Sequence, residues 1–253
     1  MKRKFVVTQN VKRFVDLMDT LKNAPANLPK MALVYGDFGL GKSQTIMWWV
    51  TNNDAIYVRC NHKMSARWLL TEIVEELNDV PTYLTSLLFK QIEDKLRERP
   101  KVLVVDEVDF LLNNSSAIEI VRDLHDKIGI PVVLVGMSLA EAKLKRHKHI
   151  YDRLLGVLKF ETFNKEDVAK IVTEISEVEF EPDALELVSA KFNQFRQIVK
   201  FLNKVENIAE MQSILHLIMY IIHKIQLFVR TYLHQDLTVY SCFYNFFQQK
   251  YIK

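Results

Sequence analysis

The sequence predicts an α/β fold, in which a parallel sheet flanked by helices is followed by a small all-α lid. Short apolar runs alternate with helix-spaced segments from residue 31 onward, which is typical of parallel strands joined by helices. Three of these runs end in glycine or acidic residues, and ligands of such sheets bind beyond the carboxyl ends of the strands. After Phe160 no further strand is recognisable and only helical spacing continues.

Each element follows from its spacing and from the residues that bound it. Ser65 is placed to cap one helix, and Gly129-Ile130-Pro131 ends another. Strands are expected at residues 31–35, 55–60, 102–105 and 132–135. Helices are expected at residues 10–21, 43–50, 65–77, 82–97 and up to 128, and in the lid at 165–176, 184–190 and 195–211. The expected divisions are a lead-in at 1–30, a core at 31–162, a lid at 163–211 and an atypical hydrophobic, aromatic tail at 212–253.

The loop after the first strand reads GDFGLGKS and fits the P-loop pattern G-x-x-x-x-G-K-[ST]. In that pattern backbone N–H groups and a helix N-terminus surround phosphates, the lysine neutralises them and the hydroxyl binds Mg²⁺. The sequence therefore predicts ATP and Mg²⁺ as cofactors, with Ser43 as a metal ligand. The alternative, an ordinary glycine-rich turn, is disfavoured by the strand-loop-helix context. The expected nucleotide contacts are Gly36, Asp37, Phe38, Gly39, Leu40, Gly41, Lys42, Ser43 and Gln44.

A second motif follows the apolar run at residues 102–105, which ends in Asp106-Glu107. A buried strand that ends in two carboxylates needs a cation. Asp106 fits the Mg²⁺-binding acid, and Glu107 fits the residue that activates the attacking water. Asp109 is a third acid nearby, but the first two are favoured because they sit directly at the strand end. The alternative is a solvated strand end.

Three further residues are candidates for completing the site. Ser138 follows the last predicted strand, where a polar side chain can contact the γ-phosphate or the water. Arginine suits a charge clamp because its guanidinium is planar and always ionised. Of Arg146 and Arg153, the second is favoured to complete a neighbouring subunit's site, since it lies where the core ends. Arg196 is the candidate that reports the nucleotide state to the lid. The alternative for each residue is a purely structural role.

Composition sets bounds on partners and location. The net charge of +3 is too small to argue for nucleic acid by itself. Two basic clusters either contact DNA or are solvated faces, and modest charge on several subunits would sum along one duplex. The first, the DNA-binding candidate, is Arg59, Lys63 and Arg67, and the second is Lys143, Lys145, Arg146 and Lys148.

The two cysteines match no metal spacing and indicate reduced thiols in a cytoplasmic protein. Residues 213–253 contain no Gly, Pro or Glu. The apolar stretch at 214–229 is interrupted by polar residues, which favours a buried or partner-binding helix, or altered sequence, over a membrane span.

The order of these motifs resembles that of the AAA+ ATPases. More narrowly it is similar to the transposition ATPases of the MuB, TnsC and IstB group, including the B-type DNA transposition proteins of transposable phages. The resemblance covers about residues 5–210. It is carried by LVYGDFGLGKSQT, YVRC with RWLLTEIVEEL, VLVVDEVDFLL, VRDLHDKIGIPVVLVGM and IYDRLLGVLKFETFNKEDV.

The resemblance implies an ATPase that assembles on double-stranded DNA as a ring or helical homo-oligomer, selects target sites and stimulates a transposase. It also implies that Arg153 is the finger arginine and Arg196 the lid sensor. Two positions depart from the pattern. Met137 stands where many AAA+ proteins carry Asn or Thr, and the glycine that usually precedes the lid arginine is missing. The alternatives are a helicase loader or replication-initiation factor, a signalling NTPase without nucleic acid, or a truncated relative.

Overall fold

A computed structural model describes residues 1–25, 27–113 and 115–233 of the chain. The strands are β1 (Met31–Tyr35), β2 (Ile56–Arg59), β3 (Leu103–Asp106), β4 (Val132–Gly136) and β5 (Leu154–Lys159). The helices around the sheet are α1 (Gln9–Asn23), α2 (Lys42–Asn53), α3 (Ala66–Glu76), α4 (Thr85–Glu98), α5 (Ser115–Ile128), α6 (Ala140–Leu144) and α7 (Lys148–Tyr151), with a 3-10 turn at Val108–Asn113. The last three helices are α8 (Lys165–Ile175), α9 (Pro182–Lys191) and α10 (Phe195–Leu233).

The five strands form one parallel sheet in the order β2-β3-β4-β1-β5. The β3 strand is flanked on both sides, and Leu103, Val104 and Val105 are all fully buried. A continuous apolar run is what a central parallel strand requires, because helices cover both of its faces. The predicted parallel α/β sheet is thus confirmed.

Alternate residues of each strand enter two separate apolar cores, one on each face of the sheet. Leu33, Val105 and Leu134 face the core formed with α3, α4 and α5. Val34 and Val104 face the core formed with α1 and α2. This alternation is the period of two expected of a strand, and it produces three layers with the sheet in the middle.

The lid has an apolar core of its own, built by α8, α9 and the first turns of α10. Asn164 begins α8 by accepting a hydrogen bond from the Asp167 backbone at 2.7 Å, just as Ser65 caps α3 by accepting one from Trp68 at 3.2 Å. Both bonds satisfy backbone donors that a helix start leaves unpaired. The expected Ser65 cap is confirmed.

Five elements differ from the expectation: β5, the end of the last helix, and three short helical elements that were not predicted, namely α6, α7 and the 3-10 turn at Val108–Asn113. The fifth strand was not predicted, because β5 lies at the edge of the sheet, is only partly buried and contains Gly156. The last helix continues to Leu233, past residue 211 where the lid helix was expected to end. Contacts divide the chain into two units, Met1–Leu202 and Asn203–Lys253.

The sheet and the lid core lie within the first unit. No helix among the described residues is long and apolar enough to cross a membrane. One prediction falls outside the described residues: the aromatic tail beyond residue 233, with Cys242.

Candidate functional site: a cleft at the carboxyl edge of the sheet

The predicted phosphate-binding loop connects the end of β1 to the start of α2. Gly41 caps α2 with a φ of 83°, a left-handed conformation that is strained for a residue with a side chain. Gly36 lies directly against the chain that leaves β5, and a Cβ added there would stand 2.7 Å from the Phe160 carbonyl oxygen. The loop therefore needs glycine at these two positions for different reasons.

Lys42 lies inside this loop, with only 8% of its surface exposed. Its Nζ donates hydrogen bonds to the carbonyl oxygens of Gly36 and Asp37, both at 2.7 Å. Burial lowers the pKa of Lys42, and the negative charges of Asp106 and Asp37 oppose that shift. The ammonium group is thus held in the centre of the loop, where backbone N–H groups are expected to meet phosphates.

Asp106 ends β3 with 2% of its surface exposed. Its carboxylate accepts a hydrogen bond from the Tyr57 hydroxyl at 2.8 Å and another from the Glu107 backbone N–H at 2.8 Å. Burial and the adjacent Asp106 charge raise the pKa of Tyr57 well above its ordinary range. Tyr57 therefore stays a neutral donor and fixes the carboxylate. Sequence reasoning missed Tyr57, because its role depends on how β2 pairs with β3.

Glu107 has an unusual backbone and a charged partner. Its φ is 55°, in the left-handed region that few residues other than glycine adopt. Its carboxylate forms an ion pair with the Arg59 guanidinium at 2.5 Å, and Arg59 lies opposite Asp106 in the parallel pairing of β2 with β3. Arg59 was predicted to contact DNA, but it lies beside the candidate catalytic acid.

A cleft of about 520 Å³ lies at the carboxyl edge of the sheet, and Lys42, Arg59, Asp106 and Glu107 all line it. Its lining consists of Phe38, Gly39, Gly41, Lys42, Ser43, Gln44, Arg59, Asp106, Glu107, Gly136, Met137, Phe195, Arg196, Val199 and Lys200. Three nucleotide-contact candidates are not among the lining residues, namely Gly36, Asp37 and Leu40. Leu40 is 3% exposed and packs into the core on the α1 and α2 side.

The first turns of α10 bring two cations to this cleft. The Arg196 backbone N–H donates to the Gly39 carbonyl at 3.2 Å, which fixes the start of the helix against the loop. Arg196 and Lys200, one helical turn apart, both line the cleft. Lys200 was not predicted. Lys200 lies four residues after Arg196 and therefore on the same face of the helix. That spacing predicts its position only when the orientation of the lid helix is known.

Ser138 is exposed and does not line the cleft. The side chain that organises the end of β4 is instead Asp109, which accepts a hydrogen bond from the Met137 backbone at 2.7 Å and forms an ion pair with Lys143 at 3.3 Å. Asp109, the third acid of the sequence motif, therefore has structural partners, whereas Asp106 and Glu107 face the cleft.

Arg153 lies outside the cleft of its own chain, just before β5. Its guanidinium binds the Asp126 carboxylate of α5, with Nε donating at 2.8 and 2.9 Å and Nη2 lying 2.7 Å away. This hydrogen bond lowers the pKa of Asp126. Arg153 also donates to the carbonyl oxygen of His149.

The remaining basic candidates are largely engaged in local contacts. Arg67 donates to the Tyr83 carbonyl, and its guanidinium lies 5.2 Å from the Tyr83 ring centroid. Lys63 is exposed in the loop before α3. Lys145 pairs with Glu141 at 2.7 Å. These contacts agree with the alternative that the clusters are solvated faces.

The residues present fit a nucleoside triphosphate with Mg²⁺. A buried carboxylate at Asp106 and the hydroxyl-bearing Ser43 supply oxygen ligands, which are the kind that Mg²⁺ prefers. Lys42, Arg196 and Lys200 supply positive charge for phosphates around the same space. Glu107 supplies a second carboxylate that lines the cleft.

Comparison with known proteins identifies this fold. Residues 27–144 match the family model described as AAA domain. No relative was found among curated proteins. Many solved structures are similar to the chain, and three of them illustrate the likeness. The Aeropyrum pernix ORC2 protein, solved as ADPNP-ADP complexes, has a TM-score of 0.67 at 15% identity, over 84% of this chain and 66% of that one.

The Aeropyrum pernix ORC1 protein, solved in complex with DNA, has a TM-score of 0.58 at 16% identity, over 82% of this chain and 62% of that one. Cdc6p from Pyrobaculum aerophilum has a TM-score of 0.60 at 18% identity, over 84% of this chain and 65% of that one. The chain thus spans less than two thirds of the length of each of these proteins. The match to the AAA domain and the likeness to these structures together show that the chain has the AAA+ P-loop NTPase fold.

Proposed function

We propose that the chain hydrolyses ATP and that its nucleotide state controls its assembly on double-stranded DNA. The observation that carries this proposal is the shared cleft, which Lys42, Asp106, Glu107 and the lid residue Arg196 all line. Such a cleft places phosphate-binding, metal-binding and water-activating groups around one reacting centre. The lid is in contact with the same centre, so nucleotide binding and lid position are coupled.

The side chains have separate roles in this reaction. Lys42 and the loop N–H groups bind the phosphates, and Ser43 with Asp106 holds Mg²⁺, which when bound neutralises charge on the phosphates. Glu107 orients the attacking water and accepts its proton. Arg196 and Lys200 contact the phosphates from the lid. Arg153 of a neighbouring subunit completes the site of a homo-oligomer.

Two partner classes fit an ATPase of this fold on DNA. The likeness to ORC and Cdc6 proteins, one of them solved in complex with DNA, favours a replication-initiation role with a helicase as partner. The motif phrasing of the sequence favours a transposition role with a transposase as partner. Binding of a purified replicative helicase, with ATP-dependent loading of it onto DNA, supports the first role. Stimulation of strand transfer by a transposase supports the second.

The first experiment measures ATP hydrolysis by wild type and by Glu107→Gln, with and without duplex DNA, at two salt concentrations. We expect Glu107→Gln to lower kcat by about 10² to 10⁴-fold, because a general base contributes that much. Nucleotide binding should persist in this variant. Asp109→Asn, which changes the neighbouring acid, decides whether the third carboxylate carries the reaction instead.

Duplex DNA should stimulate wild-type hydrolysis more strongly at low salt, because phosphate contacts release counterions. ATP-dependent duplex binding should persist in Glu107→Gln. Hydrolysis that ignores DNA, together with no duplex binding in ATP, would remove the DNA part of the proposal and leave a nucleotide-switched NTPase. Full activity of the Glu107→Gln variant would show that Glu107 is not the general base.

A further inference from the structure

Three potential metal ligands come together between α5 and the start of α7. They are Glu119 of α5, His147 and His149, the last two lying at the start of α7. One ligand atom from each residue lies within 4.8 Å of the other two. Glu119 and His147 are partly buried and His149 is exposed. None of the three lines the nucleotide cleft.

The ligand types select a class of ion. Two imidazoles and one carboxylate suit Zn²⁺ and neighbouring divalent transition metals, whereas Mg²⁺ and Ca²⁺ prefer oxygen ligands alone. In a tetrahedral Zn²⁺ site with bonds of about 2.1 Å, ligand atoms stand about 3.4 Å apart. In the structure the three ligand atoms lie within 4.8 Å of one another, which is close to that spacing. A fourth position stays open to water.

The Glu119 carboxylate is already oriented for such a site. One of its oxygens contacts the His149 ring and the other contacts the Arg122 guanidinium. Metal-bound carboxylates are commonly fixed by a hydrogen bond to the oxygen that does not bind the ion. The His147 and His149 ring centroids lie 6.3 Å apart at an angle of 78°, so the two rings approach from different directions.

We propose that Glu119, His147 and His149 bind a divalent transition-metal ion such as Zn²⁺, which links α7 to α5. Without an ion, His149 contacts Glu119 and lies against the His147 ring. With an ion, three side chains from two elements share one centre, and the short segment between α6 and β5 loses mobility relative to the sheet.

This link reaches Arg153, whose guanidinium donates to the His149 carbonyl oxygen and binds Asp126 of the same α5 helix. A metal ion at His149 therefore fixes the segment that carries Arg153. The regulatory part of the inference rests on the proposed function of Arg153 in a neighbouring site. The metal site itself does not depend on that function, and binding is measured without hydrolysis.

The test is titration of the full chain with ZnCl₂ by calorimetry, in excess Mg²⁺ to occupy the nucleotide-side carboxylates. We expect one Zn²⁺ to bind to wild type with an affinity that His147→Ala, His149→Ala and Glu119→Gln each lower at least about tenfold. His62→Ala removes an exposed histidine outside the cluster and should bind like wild type. Amide exchange of residues 147–153 should slow on Zn²⁺ addition in wild type and in His62→Ala, but not in the three ligand variants.

Arg122→Gln keeps all three ligands and removes only the group that orients Glu119. It should weaken Zn²⁺ binding less than loss of a ligand does, and it keeps the test valid if a ligand variant does not fold. An isotherm that is the same for wild type and for the His147→Ala/His149→Ala double variant would overturn the proposal. So would Zn²⁺ binding that leaves amide exchange of residues 147–153 unchanged.

Discussion

Glu107 combines a left-handed backbone with an ion pair to Arg59, and both features bear on how hydrolysis is controlled. The left-handed conformation costs energy in a residue with a side chain, and such strain is typically kept where a site needs a fixed geometry. The Arg59 guanidinium neutralises the carboxylate and holds it. Arg59 thus restrains the carboxylate that we propose activates water.

Replacing Arg59 with alanine should raise the basal ATPase rate several-fold, since Glu107 is then free to turn toward the water. If duplex DNA stimulates hydrolysis by drawing Arg59 away from Glu107, the rate of this variant should also respond less to DNA. Steady-state hydrolysis with and without duplex measures both effects. Lys63→Ala removes a positive charge four residues further on, outside the cleft, and serves as the control.

A fall in the basal rate of Arg59→Ala would contradict the restraint and assign Arg59 to phosphate binding instead. The double variant Arg59→Ala/Glu107→Gln separates the two cases. If Arg59 acts only through Glu107, the double variant should hydrolyse ATP no faster than Glu107→Gln alone.

The sequence located the residues of the site that are contiguous in the chain. Lys42, Ser43, Asp106 and Glu107 belong to two short motifs whose chemistry is local, and all four line the cleft. The positions of Tyr57, Arg59 and Lys200 at the site could not be predicted in this way. Arg59 and Tyr57 act there through the register of β2 against β3, and Lys200 through the docking of α10.

The helices and strands with strong hydrophobic periodicity, which pack against neighbours on more than one side, were predicted from the sequence. All four predicted strands and the helices α3 and α4 are present within about three residues of their expected bounds, and α5 ends where it was expected to end. The missed strand, β5, packs on one neighbour only and keeps just Leu158 fully buried. An edge strand needs less apolar surface, so its sequence carries less signal.

The first eight residues, expected to be only part of a lead-in, connect the lid to the core. Phe5 stacks on Trp48 of α2, with ring centroids 4.4 Å apart and planes 5° apart. Val6 enters the apolar core of the lid. The Lys2 backbone N–H donates to Ile175 at the end of α8 at 2.8 Å. One extended segment thus contacts both the helix that follows the phosphate-binding loop and the lid.

Phe5→Ala should therefore lower the free energy of unfolding by about 1–2 kcal/mol, which is the range for loss of a stacked aromatic pair with its partial burial. Amide protection in α8 should fall more than protection in β3, because the lid loses one of its attachments to the core. Urea unfolding and hydrogen exchange measure the two effects. Phe38→Ala removes a ring that is 59% exposed and should change stability by less than about 0.5 kcal/mol. Equal loss of protection in α8 and β3 would contradict the attachment.

The position of Arg153 bears on whether a single chain is sufficient for the proposed hydrolysis. Arg153 is absent from the lining of its own cleft, where Arg196 and Lys200 provide positive charge from the lid. Its guanidinium is held by Asp126, with about a third of the side chain exposed. An arginine fixed on the surface in this way fits a role in the cleft of an adjacent copy, since head-to-tail contacts place one face of each copy on a different face of the next.

Mixing two inactive variants tests that role directly. Glu107→Gln and Arg153→Ala should each be nearly inactive alone. In an equal mixture about a quarter of the head-to-tail interfaces pair an intact Glu107 with an intact Arg153, so activity should return to roughly that fraction of wild type. Asp126→Asn breaks the same ion pair but keeps the guanidinium, and it should retain activity if Arg153 acts on a neighbour. A mixture as inactive as its components, or an Asp126→Asn variant as inactive as Arg153→Ala, would instead give Arg153 a structural role within its own chain.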